Sequence, residues 1–248
     1  MLLSLVLTTY QDARELPRAI AHIHTLRSCL PYEFQVIVVD RGSTDRSTAL
    51  CNSAGFSVLL SPSSEYGDAV RMGMLNASGT YRILIDVTWS IPASQLQLLL
   101  PPIQSGFDIT IASRRVEGAT RDNEPISALA FSRVFNRLVR ALVLTNQVDT
   151  QLTYKCFRAE AAYALFSRSR EQNETIHVEV LAIAEAFRLN IVEVPVDWTF
   201  HPDNPHTSVL DSPALLASLL RIRTRLSTDQ YAPIQMRSEQ PNTPRWSL

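Results

Sequence analysis

The chain has 248 residues, of which 46% are hydrophobic and 19% charged, and its formal net charge is −1. That composition excludes a disordered chain, suffices for one large α/β domain or two small ones, and leaves no global field to recruit nucleic acid. Cys29, Cys51 and Cys156 are odd in number and widely spaced, which argues against a disulfide framework or a zinc site and for free thiols in a reducing, cytoplasmic compartment.

The apolar start, Met1 to Leu7, has no basic segment and is too short for a signal peptide, so residues 2–8 read as a first strand. No run approaches the ~20 apolar residues that span a bilayer. A helix follows with Leu16, Ile20, Ile23 and Leu26 at helical spacing, Pro17 being tolerable in its first turn. Next come a strand over 35–39, a helix over 44–54 stopped by Gly55, and a short strand over 56–60. A helix over 66–77 ends near Gly79, and a strand over 81–85 ends at Asp86. After Pro92 a Leu-rich helix runs to Pro101, and residues 108–112 form another strand. Strand and helix alternate with short connections, the pattern of an α/β protein with a mainly parallel, Rossmann-like sheet flanked by helices.

The second half reads differently. Residues 116–124 are polar and without period, as in a mobile loop. Residues 126–144 are helical, 153–157 strand-like, 178–189 helical, and 191–194 a strand before Pro195. From Ser227 on the chain is polar and Pro-containing, so 227–248 reads as a disordered tail.

Four consecutive β-branched residues, Val36 to Val39, suit a strand covered on both faces. Ligands of such sheets bind beyond the carboxyl ends of the strands, where Asp40 falls. Gly42 can supply a sharp turn, and Ser43, Thr44 or Asp45 can cap the next helix. An aspartate that merely closes a βα turn is the plainer reading of the same segment. The first strand leads into Thr8-Thr9-Tyr10-Gln11-Asp12 without a glycine, and no GxxxxGK[ST] loop occurs anywhere. Dinucleotide-dependent dehydrogenases and P-loop enzymes are thereby excluded.

Five blocks occur in order: Leu5–Asp12, Val38–Asp45, Tyr66–Gly73, Ile83–Ser90 and Asp149–Arg158. Further matches are Ile111–Arg115, Val178–Val180 and Ile191–Trp198. Together they resemble family-2 glycosyltransferases of the GT-A fold, nearest the branch of dolichyl- or polyprenyl-phosphate sugar synthases of the mannose synthase type. The resemblance implies a single GT-A domain over 1–226, with a nucleotide-sugar-binding half (1–115) and an acceptor-side half (116–226). It implies that Tyr10, Asp12 and Asp40 hold the nucleotide, with Arg41 beside them, and that Asp86 is the first aspartate of a DxD motif. Asp86 would then bind a divalent cation, magnesium or manganese, that bridges the donor diphosphate. Arg114 follows the acceptor-side strand, and Gln151 and Lys155 lie on the segment that closes over sugar and acceptor. Lys155 is the only lysine beside 22 arginines, and a solvated surface lysine is the alternative to an anion contact there.

Several donor-site positions depart from the family pattern. Thr88 stands at the second DxD aspartate, Ser90 at the next polar ligand position, and Arg41 at the second aspartate of the usual DDGS. Magnesium needs only one or two carboxylates plus substrate phosphates, so Asp86 alone can hold a substrate-dependent ion. Arg41 can pair with a phosphate, fill the base pocket, or neutralise Asp40. Two functions follow. One is inverting transfer of a hexose from a nucleotide-diphosphate sugar to a polyprenyl phosphate or related acceptor. The alternative is a catalytically inactive glycosyltransferase-like binding or scaffold protein. A phosphate acceptor needs no general base; a sugar hydroxyl needs one, with Glu117 and Asp122 as candidates.

Residues 126–144 carry Arg133, Arg137 and Arg140 at one-face spacing, with Leu129, Phe135, Leu138, Val139 and Leu142 as the apolar set. Such a helix can lie on an anionic membrane, making the protein peripheral at the inner face; a core helix with a solvated arginine stripe is the alternative. The five histidines assemble no site by spacing, and His177 merely precedes Glu179 at a helix start.

Overall fold

The computed structural model describes residues 1–144, 146–201 and 213–231. In chain order these form β1 (Leu2–Thr9), α1 (Leu16–Cys29), β2 (Glu33–Asp40), α2 (Ser47–Ser53), β3 (Ser57–Leu60), α3 (Tyr66–Asn76) and β4 (Tyr81–Leu84). A 3₁₀ segment (Ala93–Leu99) then leads into α4 (Leu100–Gln104), β5 (Ile109–Ser113), β6 (Thr120–Asp122) and α5 (Ile126–Leu142). Last come β7 (Lys155–Arg158), α6 (Ala159–Phe166), α7 (Ile176–Ala186), β8 (Ile191–Pro195), β9 (Asp197–Thr199) and α8 (Pro213–Ser227).

The main sheet has seven strands in the order β3-β2-β1-β4-β7-β5-β8. All neighbours are parallel except β7, which runs antiparallel to both β4 and β5. The β-branched run of β2 is covered on both sides, as its composition requires: Ile37 and Val39 enter one core layer, Val36 and Val38 the other. β1 alternates likewise, with Val6 in the first layer and Leu3, Leu5 and Leu7 in the second. The first layer is closed by α3, α5, α6, α7 and α8, the second by α1, α2, the 3₁₀ segment and α4. Gly73 lets α3 lie directly on the sheet, because a Cβ there would meet Val6 Cγ1 at 2.5 Å and Val39 Cγ2 at 3.0 Å.

Several boundaries differ from expectation for local reasons. α2 starts at Ser47 rather than residue 44, because Ser43 is bonded to Asp40, Thr44 accepts from Gln11, and Asp45 accepts the Ser47 amide at 2.9 Å. Pro101 does not end a helix; it sits in the first turn of α4, where its missing N–H costs nothing. Residues 116–124 contain a strand, β6, paired parallel with β9, so part of the expected loop is tied down through the backbone. α6 and α8 were not foreseen in the sequence. The tail expected over 227–248 lies, from residue 232 on, outside the described residues.

Candidate active site

Parallel strands put their carboxyl ends at one edge, and that edge collects the expected residues. Thr9 and Asp40 end β1 and β2 in register, Asp86 lies two residues beyond β4, and Arg114 follows β5. β7 runs the other way, so its start arrives at the same edge and brings residues 149–154 with it. The topology therefore joins the two halves of the chain at one rim.

The loops after β1 and β2 are laced together. Asp12 accepts from the Thr9 hydroxyl at 3.0 Å and the Tyr10 amide at 2.9 Å. Gln11, at φ 58°, donates its amide to Ser43 Oγ at 3.0 Å. Asp40 is buried, and its carboxylate accepts from the Ser43 amide and hydroxyl and from Thr48 Oγ1 at 3.1 Å. Asp40 thus orders the turn itself, and Arg41 points away from it. The Arg41 guanidinium stacks between two rings, 5.3 Å from the Tyr10 centroid and 5.7 Å from that of Tyr66. Its Nε is buried without a protein partner. The Tyr10 ring is 46% exposed, so this pair is open to a ligand from the solvent side.

Asp86 is buried at the rim, held by the Trp89 amide at 3.0 Å and by the hydroxyl of Thr88. Ser90 Oγ lies 3.4 Å from its other oxygen and 3.0 Å from Thr88 Oγ1. Trp89 adopts φ 53° to close this turn. Among the described residues no three His, Cys, Asp or Glu side chains group around a cation position. One carboxylate with two hydroxyls still suits magnesium or manganese, which draw much of their coordination from water and substrate phosphate.

After β5, Arg114 grips Asp149 with both ends of its guanidinium, Nε to Oδ2 at 2.8 Å and Nη2 to Oδ1 at 2.9 Å, and its amide adds a third bond. Burial would push the Asp149 carboxyl up, but the Arg114 charge and hydrogen bonds outweigh it and hold it well below the usual range. Arg114 also stacks on Trp198, with 4.7 Å to the ring centroid. Lys155 is fully buried, neither solvated nor at the cavity surface; its ammonium donates to the Leu152 carbonyl. Burial pushes it down to about 7. It props the segment that carries Gln151 and Leu152 into the site.

Between these groups lies a cavity of about 340 Å³. Its lining includes the polar Asp86, Ser90, Arg114 and Gln151 and the apolar Phe135 of α5, Val178 of α7 and Leu215 of α8. Glu117 and Asp122, the candidate bases, are exposed and do not line it, whereas Glu124 and Glu174 do. The sequence reading also missed His177 and Tyr66. They lie 111 residues apart and share a buried hydrogen bond of 3.0 Å between the Tyr66 hydroxyl and His177 Nε2, and only His177 lines the cavity. No spacing rule could have joined them.

Known proteins share this fold and sequence pattern. The chain is 28% identical over 221 residues to the human dolichyl-phosphate β-glucosyltransferase, spanning 79% of this chain and 67% of that protein. To the enzyme of the same name from Saccharomyces cerevisiae it is 24% identical over 246 residues, spanning 89% and 74%. These relatives are glucosyl- rather than mannosyltransferases, which corrects the expected mannose synthase type. A crystal structure of glucosyl-3-phosphoglycerate synthase from Mycobacterium tuberculosis, with Mn²⁺, UDP-glucose and phosphoglyceric acid, superposes with a TM-score of 0.67. It is 16% identical and covers 94% of this chain and 81% of its own, a likeness of fold. The family model of glycosyl transferase family 2 matches residues 4–166. With strand-end aspartates at the rim of a GT-A sheet and that match over most of its length, the chain belongs to glycosyl transferase family 2 and is a glycosyltransferase.

Proposed function

We propose that the protein transfers a hexose, glucose by analogy with the relatives above, from a nucleoside-diphosphate sugar to a polyprenyl phosphate, with inversion at the anomeric carbon. The observation that carries this reading is the cavity, whose lining joins Asp86, Ser90, Arg114 and Gln151 with Phe135 of α5, Val178 of α7 and Leu215 of α8. A lining of both kinds suits a phosphate head joined to a hydrocarbon tail. The nucleotide would lie over Asp40 and the Tyr10–Arg41 stack, where the Arg41 guanidinium, whose Nη1 reaches the Ser64 carbonyl at 3.4 Å, would pair with a phosphate. An ionised acceptor oxygen attacks the anomeric carbon as the bond to the diphosphate breaks, and the nucleoside diphosphate leaves with the electron pair. No proton need move. Positioning by Gln151 and by the Arg114–Asp149 pair, with charge neutralisation at the rim, supports the rate. Asp86, with the Thr88 and Ser90 hydroxyls, would hold a divalent cation that neutralises the leaving diphosphate.

The reading includes an anionic lipid surface as the place of reaction. α5 lines the cavity with Ser132 and Phe135, while its outer side exposes Ile126, Val134 and Leu138 beside Arg133, Arg137 and Arg140. α8 packs against it, tied by Arg223 to the Leu142 carbonyl at 2.8 Å, and exposes Leu216 and Leu220. Exposed apolar side chains beside arginines fit a headgroup layer of negative charge. No helix among the described residues is long and apolar enough to cross a membrane.

Calorimetry against UDP-, GDP-, CDP- and dTDP-sugars, with and without Mn²⁺, tests the donor site. Cation-enhanced binding of one nucleotide is expected; silence toward all four would favour the inactive binding protein.

A further inference from the structure

We infer that Tyr154 is a positioning residue for the cation: its hydroxyl, by accepting the Ser90 amide, holds the turn after β4 in the shape that gathers Asp86, Thr88 and Ser90. The inference rests on the cation reading of Asp86 above and adds the residue that orders the site. Tyr154 immediately precedes β7, is fully buried and does not line the cavity, so it acts through the residues it holds.

That turn is not one its residues prefer. Trp89 stands at φ 53°, a left-handed conformation that strains a bulky side chain. Its ring is buried in a T-shaped contact with His22 of α1, 5.1 Å between centroids, and its Nε1 has no protein partner. Such a conformation persists where the surroundings over-determine it, and here three backbone groups of the turn are held. The Trp89 amide donates to Asp86 Oδ1 at 3.0 Å and the Ser90 amide to the Tyr154 hydroxyl at 2.8 Å. The Ser90 carbonyl accepts the Thr199 amide of β9 at 2.9 Å.

Tyr154 is suited to its share of this work. Its own carbonyl accepts the Ala112 amide of β5 at 3.0 Å, which ties it to the sheet. Burial and the Asp86 charge keep the phenol protonated, so it meets the amide as a neutral acceptor. With Ser90 pinned, its Oγ lies 3.4 Å from Asp86 Oδ2 and 3.0 Å from Thr88 Oγ1. These three positions hold a single carboxylate, so the two hydroxyls must be placed in advance to help hold a cation. A partner behind the ligands supplies that order. Tyr154 also follows Gln151, Leu152 and Thr153, which line the cavity, so one residue joins the cation turn to that segment.

Calorimetry of UDP, GDP, CDP and dTDP binding, in EDTA and across a Mn²⁺ titration, tests this for the wild type and Tyr154→Phe, which keeps the ring and removes the hydroxyl. For the nucleotide that binds, the affinity in EDTA should be the same in both proteins. The Mn²⁺ concentration that gives half of its enhancement should rise about ten-fold or more in the variant, the usual loss when a partner behind a metal ligand is removed. An unchanged Mn²⁺ requirement in the folded variant overturns the inference. So does a loss of equal size with and without Mn²⁺, as a general loosening of the site would give. A wild type that binds none of the four better with Mn²⁺ refutes the cation reading itself, a result distinct from the other two, and removes the positioning role with it. Should Tyr154→Phe fail to fold, hydrogen exchange of the wild type decides. The Ser90 amide should be protected before Mn²⁺ and nucleotide are added. Protection that appears only with them would mean that they, and not Tyr154, order the turn, and would overturn the inference.

Discussion

The charges of the site are set by what each buried group meets. Asp40 and Asp86 were legible because each stands at the end of an apolar strand run, where a parallel sheet exposes its ligands. Their neighbours were not, since which atoms occupy a carboxylate depends on the folded turn. Arg41 could have paired with Asp40; instead Ser43 and Thr48 donate to that carboxylate, and Arg41 lies against Tyr10 and Tyr66 and reaches the Ser64 carbonyl. Lys155 was singled out by its rarity alone, and rarity carries no direction. Its burial has a measurable consequence. In the unfolded chain it binds a proton up to about its ordinary 10.5, but in the fold only up to about 7. Between those values the unfolded state holds more protons, so stability should rise with pH across that window; below it the cost is complete. Lys155→Met should therefore raise the unfolding free energy at neutral pH by about 1–4 kcal/mol and flatten the rise. Urea unfolding at pH 7 and pH 9 checks this, and a less stable variant would contradict it.

Among the elements, those with strong periodicity or β-branched runs were read close to their true limits, as with β1, β2, α1 and α5. The 3₁₀ segment was read as a helix ending at Pro101 and α4 was missed, because prolines were taken as an end where two of them open a new first turn. β6 carries three polar residues, and backbone pairing with β9 leaves no hydropathy trace. α8 is fixed by a polar latch, Arg225 to Glu171 at 2.7 Å and the Tyr231 hydroxyl to Glu179 at 2.6 Å, which is equally silent in sequence. α5 is packed into the core on one side through Phe135 and Val139 and is exposed on the other. Sedimentation with vesicles rich in anionic lipid should carry the wild type down. Val134→Glu with Leu138→Glu should weaken that binding about ten-fold or more while leaving donor binding intact, since both side chains are half-exposed and carry membrane contact by area and charge. Equal sedimentation of the two proteins would remove α5 from the lipid surface.

At the scale of the molecule, function follows from strand direction. One antiparallel strand, β7, in a parallel sheet delivers residues 149–154 to the rim that already holds Thr9, Asp40, Asp86 and Arg114. Strand order and direction are tertiary properties, so alternating elements announced a parallel sheet without revealing its antiparallel member. The resemblance of ordered motif blocks supplied the family, and the topology supplies the reason those blocks, far apart in the chain, serve one site. The most direct measurement is extraction of glycosylated lipid after incubating the protein with labelled UDP-glucose, Mn²⁺ and a polyprenyl phosphate, for the wild type beside Asp86→Asn. A labelled sugar phospholipid from the wild type, reduced by about a hundred-fold or more in a folded Asp86→Asn protein, is expected where a carboxylate stabilises the transition-state charge. Undiminished transfer by the variant would remove Asp86 from the reaction, and no lipid product from a wild type that binds its nucleotide would contradict the proposed acceptor.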